Sequence, residues 1–169
     1  PAMIKSNGFS EKPSWVLQPL TLATLAGLTP PDVEVQALDD RFEDINYDEP
    51  RDLVGISVKT FTARRAYQIA AEFRRRGVPV ILGGHHPTLL PQETSQHADA
   101  ILIGEAEGIW PDVINDTQRG RLQPIYRQPE TLPLANVRVD RSIFSGKKYL
   151  PITMVETTRG CPFACNFCS

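Results

Sequence analysis

Cysteine is almost missing from this chain: there are three in 169 residues, and all stand close together as Cys161, Cys165 and Cys168. No fourth thiol exists elsewhere to complete a four-thiolate site. Blocks of like charge are missing too. With 18 basic against 20 acidic residues and a formal net charge of −2, nothing electrostatic recommends a nucleic acid or an anionic membrane surface as partner. Long apolar runs are also lacking. The stretch from Val16 to Leu28 is broken by Gln18, Pro19, Thr21 and Thr24, which makes it too short and too polar for a membrane span and suits a buried helix. No charged-then-apolar leader, internal repeat or low-complexity tract is seen, and the 15 prolines fall at loops and helix starts. The opening PAMIKSNGFSEKPS is polar and turn-like, and one residue follows the last cysteine, so the chain reads as a fragment whose first strand is expected to be missing.

What is present alternates strand with helix. Pro19 to Leu28 predicts a first helix with Gly27 near its end. Val33, Val35 and Ala37 alternate as in a short strand ending near Asp39. The apolar run from Asp52 to Val58 suits a central parallel strand. Ala66, Ile69, Ala70 and Phe73 recur at helical spacing before Gly77 stops the pattern. The unit repeats: PVILGG as a strand, a short helix between Pro87 and His97, DAILIGE as a strand, and a helix over about Ile109 to Thr117. This order predicts an α/β fold, a doubly wound parallel sheet with right-handed crossovers, over residues 1–119. From Gly120 the helical period vanishes, which predicts a linker over 120–148. Residues 149–169 then open a second unit, a strand through Ile152, Met154 and Val155 ending in the cysteine loop.

Three thiolates on a [4Fe–4S] cluster would leave one iron open to a substrate, such as the amino and carboxylate groups of a methionine moiety. A zinc site completed from outside these residues, or buried or disulfide-linked thiols, are the blander alternatives. The stretch TTRGCPFACNFCS resembles the radical S-adenosylmethionine (SAM) superfamily, in its RGCP lead-in, its three-then-two cysteine spacing and the aromatic Phe167. The resemblance implies that Cys161, Cys165 and Cys168 hold a [4Fe–4S] cluster at the start of a partial (β/α) barrel. It further implies reductive cleavage of S-adenosylmethionine to a 5′-deoxyadenosyl radical, fed by an external electron donor such as flavodoxin or ferredoxin. Phe167 would touch the adenosine or simply pack in the core.

In a doubly wound sheet, ligands bind beyond the strand C-terminal ends, here Ser57 to Thr60, Gly83 to His86 and Gly104 to Glu107. Glycines there admit close backbone approach, and Ser57 and Thr60 carry hydroxyls. The order DLVGIS, GGHHPT, IGEAE resembles the cobalamin-binding domain that precedes the radical SAM domain in one large subfamily. On that resemblance Ser57, Thr60, Gly83, Gly84 and Gly104 line the site for the cobalamin tail. The Asp-x-His-x-x-Gly motif whose histidine ligates cobalt is absent, as in many members of the subfamily. His85 and His86 read as loop residues hydrogen-bonded locally. Lys59, Glu105 and Glu107 read equally as solvated, helix-capping or ligand-contacting groups. Asp39 and Asp40 would suit a phosphoacceptor, but the strand that follows ends in Ser57, not an aspartate.

The expectation is a cobalamin-dependent radical SAM enzyme acting on a small molecule in the cytoplasm, where clusters and thiolates stay reduced. Two rivals stand beside it: a radical SAM enzyme whose front domain no longer binds cobalamin, and a non-enzymatic, metal-stabilised binding module.

Overall fold

The structure is a computed structural model that describes residues 16–128, 133–163 and 165–166. Its centre is a parallel sheet of four strands in the order β1 (Val54–Ser57), β2 (Val80–Gly83), β3 (Ala100–Ile103) and β4 (Ile125–Arg127). Helix α1 (Leu20–Leu28) precedes the sheet. Helix α2 (Ala63–Arg75) joins β1 to β2, the short α3 (His85–Leu89) and α4 (Pro91–Thr94) join β2 to β3, and α5 (Trp110–Gln118) joins β3 to β4.

Both sheet faces are covered, as the unbroken apolar strands require. On one face Ala63, Ala66, Ile69, Ala70 and Phe73 of α2 pack on Val80, Leu82, Ile101 and Ile103. Burying Ile69 and Phe73 contributes about 1.5–3 kcal/mol each. On the other face Trp110, Val113 and Ile114 of α5 meet Ile81, Ala100, Leu102 and Tyr126, with Leu25 and Leu28 of α1 alongside. The doubly wound architecture is therefore as expected. The crossovers differ from expectation in one respect. The α2 and α5 connections step the same way across the sheet over opposite faces, so only one of them can be right-handed.

Three segments depart from the sequence reading. Residues 33–39 form no strand. Among the described residues the alternation of Val33, Val35 and Ala37 finds no pairing strand, and these residues instead line a groove of about 1050 Å³ beside Gly55, Trp110 and α1. The segment after Gly120, expected to lead away as a linker, first adds β4 to the sheet in parallel pairing with β3. Tyr126 supplies the reason: its ring is 5% exposed, and its hydroxyl donates to Asp116 Oδ2 at 3.1 Å and accepts from the Gln123 N–H at 2.9 Å. Finally, Ile152, Met154 and Val155 form no strand and are 52%, 41% and 71% exposed, with no strand among the described residues pairing with them.

Gly27 is the penultimate residue of α1, near its end as expected. A Cβ there would stand 2.6 Å from the Arg138 carbonyl oxygen, and the Asp140 N–H donates to Ala23 O at 2.9 Å, so residues 138–140 run directly against the helix. The segment 144–150 is fixed likewise: the Tyr149 hydroxyl donates to Asp39 Oδ2 at 3.0 Å and Lys147 Nζ to Ala37 O at 2.8 Å.

Candidate functional site

Because all four strands are parallel, their C-terminal ends lie on one edge of the sheet, and the candidate residues gather there. Ser57 ends β1 and Thr60 opens the single turn Thr60–Thr62 after it; both are exposed. Gly83 ends β2 and Gly104 follows β3. The groove described above lies elsewhere, and none of the five cobalamin candidates lines it.

The three glycines have different reasons to be glycine. Gly84 has φ 98° and ψ −162°, and a Cβ there would meet Val58 O at 3.1 Å, Ser57 Oγ at 3.2 Å and Val58 N at 3.2 Å. Its lack of a side chain lets the β2 loop close onto the end of β1. Gly104 has φ 83°, yet among the described residues a Cβ would meet nothing within 4 Å, so its backbone is open on that side. Gly83 shows only an ordinary contact, 3.5 Å to the Leu102 Cβ. Exposed hydroxyls at Ser57 and Thr60 and the open backbone of Gly104 at the same sheet edge fit the polar, amide-bearing tail of a corrinoid in chemistry.

His86 is 3% exposed and lies in α3, and the hydrogen bonds of its ring run not within its own loop, as expected, but to α2 and to the turn after β1. Its Nε2 lies 2.9 Å from the Tyr67 hydroxyl, and its Nδ1 lies 3.4 Å from Thr60 Oγ1. Tyr67 donates its hydroxyl proton to Glu93 Oε1 at 2.9 Å, so its oxygen accepts from His86. This network steadies Thr60 from behind and accounts for His86 without a metal.

Asp39 is 7% exposed and is bound by Arg41 and by Tyr149. Burial pushes its carboxyl up, but the hydrogen bonds and charge of Arg41 prevail and hold it below its ordinary value of 3.8. Asp40 pairs with Arg65 at 2.6 Å. Both aspartates are accounted for by these ion pairs.

The acidic residues after β3 meet Arg159, which for Glu107 is 52 positions on. Arg159 Nη2 pairs closely with Glu107 Oε1, Nη1 lies 2.8 Å from Glu105 Oε2, and Nε donates to Glu156 Oε1 at 3.0 Å. Glu107 is only 9% exposed, a depth a carboxylate occupies when it is paired. Hydrogen bonding to Glu156 foremost, then to Glu107 and Glu105, raises the Arg159 guanidinium above its ordinary value against the opposing effect of burial. No local pattern announces this cluster; the acids after β3 and the RGC lead-in to the cysteines were its only traces.

Cys161 and Cys165 are free and exposed. Cys168 and Phe167 lie outside the described residues. Among the described residues no three histidine, cysteine, aspartate or glutamate side chains are grouped to hold a metal ion, and no helix is long and apolar enough to cross a membrane. Two exposed thiols on one loop fit an iron–sulfur cluster in donor chemistry.

The B12 binding domain family matches residues 8–114. Among curated proteins, the chain is 41% identical over 88% of its length to the bacteriochlorophyllide d C-8(2)-methyltransferase of Chlorobaculum tepidum, covering 35% of that protein. It is 32% identical over 91% of its length to the C-12(1)-methyltransferase of the same organism, again covering 35%. It is 26% identical over 93% of its length to the anaerobic magnesium-protoporphyrin IX monomethyl ester cyclase of Rubrivivax gelatinosus, covering 34%. The chain thus spans about a third of the length of these relatives.

Proposed function

Since the chain belongs to the B12-binding domain family, with methyltransferases and a cyclase as relatives, we propose that it forms the cofactor-holding front of a cobalamin-dependent radical SAM methyltransferase acting on a carbon of a tetrapyrrole. The observation that carries this reading is the meeting of two features at one sheet edge. Exposed Cys161 and Cys165 follow Arg159, which is paired with Glu105 and Glu107 beside Gly104. Methyl transfer and the tetrapyrrole come from the names of the two Chlorobaculum relatives.

When bound, cobalamin would supply a transferable methyl group, and a [4Fe–4S] cluster with S-adenosylmethionine would supply the radical that makes an unactivated carbon receptive. The protein's share is placement. Ser57 and Thr60 offer hydroxyls to the cobalamin tail, while Gly83, Gly84 and Gly104 form the backbone wall beside it. Cys161, Cys165 and Cys168 would hold the cluster, and Phe167, which precedes the last of them in sequence, is the candidate for contact with the adenosine. His86 holds Thr60 in position.

The test is an anaerobic assay of the full-length protein reconstituted with iron, sulfide and hydroxocobalamin, given S-adenosylmethionine, a reductant and bacteriochlorophyllide d. Formation of 5′-deoxyadenosine with a methylated product is expected. No 5′-deoxyadenosine would favour the metal-stabilised binding module, and turnover without retained corrinoid would favour a front domain that has lost cobalamin.

A further inference from the structure

We propose that Arg159 is a positioning residue that couples the corrinoid crevice to the cysteine loop: its ion pairs make the placement of Cys161 depend on what occupies the space beside Gly104. The proposal rests on the reading that cobalamin occupies that crevice.

The loop from Gly104 to Gly108 is held at three points. At its start the Gly104 N–H donates to Thr88 Oγ1 at 2.9 Å, and at its end the Gly108 N–H donates to Gln128 Oε1 at 2.5 Å. Between them, Glu105 and Glu107 are both taken by Arg159. Glu156 lies on Arg159's own segment, three residues back, so it cannot join the two parts of the chain; Glu105 and Glu107 can. Glu107 is too buried to exchange its partner for water without cost. A ligand that presses on the open backbone of Gly104 therefore moves the carboxylates that grip Arg159.

On the other side of the arginine the chain turns at once. Gly160 has φ 71° with nothing among the described residues within 4 Å of a Cβ, and Cys161 comes next. Two residues of chain span at most ~7 Å, so the Cys161 Cα is leashed to the Arg159 Cα within that distance. The guanidinium thus fixes one end of the cysteine loop against the rim of the crevice. An arginine serves here where a lysine serves less well, because its planar fork meets two carboxylates from separate nitrogens.

The test compares iodoacetamide alkylation rates of Cys161 and Cys165 in reduced, cluster-free, full-length protein with and without hydroxocobalamin, read by peptide mass spectrometry. The ratio read is the Cys161 rate with hydroxocobalamin over that without it, divided by the same quotient for Cys165, because a merely loosened loop changes both cysteines together. In the wild type, hydroxocobalamin should change the rate at Cys161 at least ~5-fold, the lower end of measured couplings between sites. Arg159→Gln should still bind hydroxocobalamin by its absorbance yet bring the ratio to near one, and Arg159→Lys should restore part of it. A wild type that binds hydroxocobalamin with a ratio near one overturns the proposal. So does Arg159→Gln with the wild-type ratio. Absence of bound corrinoid absorbance in the wild type instead overturns the cobalamin reading, and this proposal with it.

Discussion

Replacing Gly84 and Gly104 separately by alanine separates a glycine the fold needs from a glycine the ligand needs. At Gly84 the backbone sits at φ 98° and ψ −162°, a region open essentially to glycine alone and costing other residues ~1–3 kcal/mol. The new Cβ would also stand 3.1 Å from Val58 O and 3.2 Å from Val58 N. Those atoms cannot retreat freely: Val58 N–H donates to Gly83 O at 2.8 Å, and Val58 O accepts from the His86 N–H at 3.0 Å. Weakening one such bond adds about 1 kcal/mol. Gly84→Ala should therefore destabilise by about 3 kcal/mol, a fall in midpoint temperature of roughly 6–12 °C for a chain of this size. At Gly104 the left-handed backbone costs ~1–2 kcal/mol and nothing obstructs the Cβ. Gly104→Ala should thus be milder in unfolding, while lowering hydroxocobalamin affinity in the full-length protein. Thermal and urea unfolding of this chain by circular dichroism measures the first pair of effects, and absorbance titration the last. If Gly84→Ala falls within about 1 kcal/mol of wild type, or Gly104→Ala unfolds as readily as Gly84→Ala, the geometric reasoning is refuted.

Two further outcomes follow from the packing. Because the Asp39 carboxyl is held below 3.8, its contribution to stability is fully present above its unfolded value and is lost as pH falls through the folded one. Asp39→Asn should therefore lower the urea midpoint at pH near 7 and flatten its decline below about pH 4; an unchanged acid slope would contradict the assignment. Gly27→Ala places a Cβ 2.6 Å from the Arg138 carbonyl oxygen, and should destabilise by about 1–3 kcal/mol despite alanine's better helix propensity. A stabilised variant would show that residues 138–140 do not press on α1.

The parts of the fold legible in sequence were those where local pattern and tertiary burial agree. The stripe Ala66, Ile69, Ala70, Phe73 has one helical face and one sheet to cover, and the apolar strands β1, β2 and β3 are bounded by glycines or turns. Where pairing decides, local pattern misleads. Val33, Val35 and Ala37 alternate like a strand but pair with none of the described residues, whereas Ile125–Arg127 is brief and flanked by Pro124, yet β3 offers it an edge. Likewise the sequence located the strand-end residues of the crevice, since parallel order puts them on one edge. It left Glu105 and Glu107 ambiguous, because their partner Arg159 is distant in the chain and only folding brings it near. For His86 the expected bonding within its own loop is not what forms: its partners are Tyr67 of α2 and Thr60 after β1, which only folding brings to it.

The central claim is that the strand-end crevice holds a corrinoid, and its most direct test is gel filtration of the full-length protein after incubation with hydroxocobalamin, followed by the visible absorbance of the protein peak. Corrinoid absorbance co-eluting in stoichiometric amount, and reduced by Gly104→Ala, is the predicted result. A protein peak free of corrinoid would contradict it.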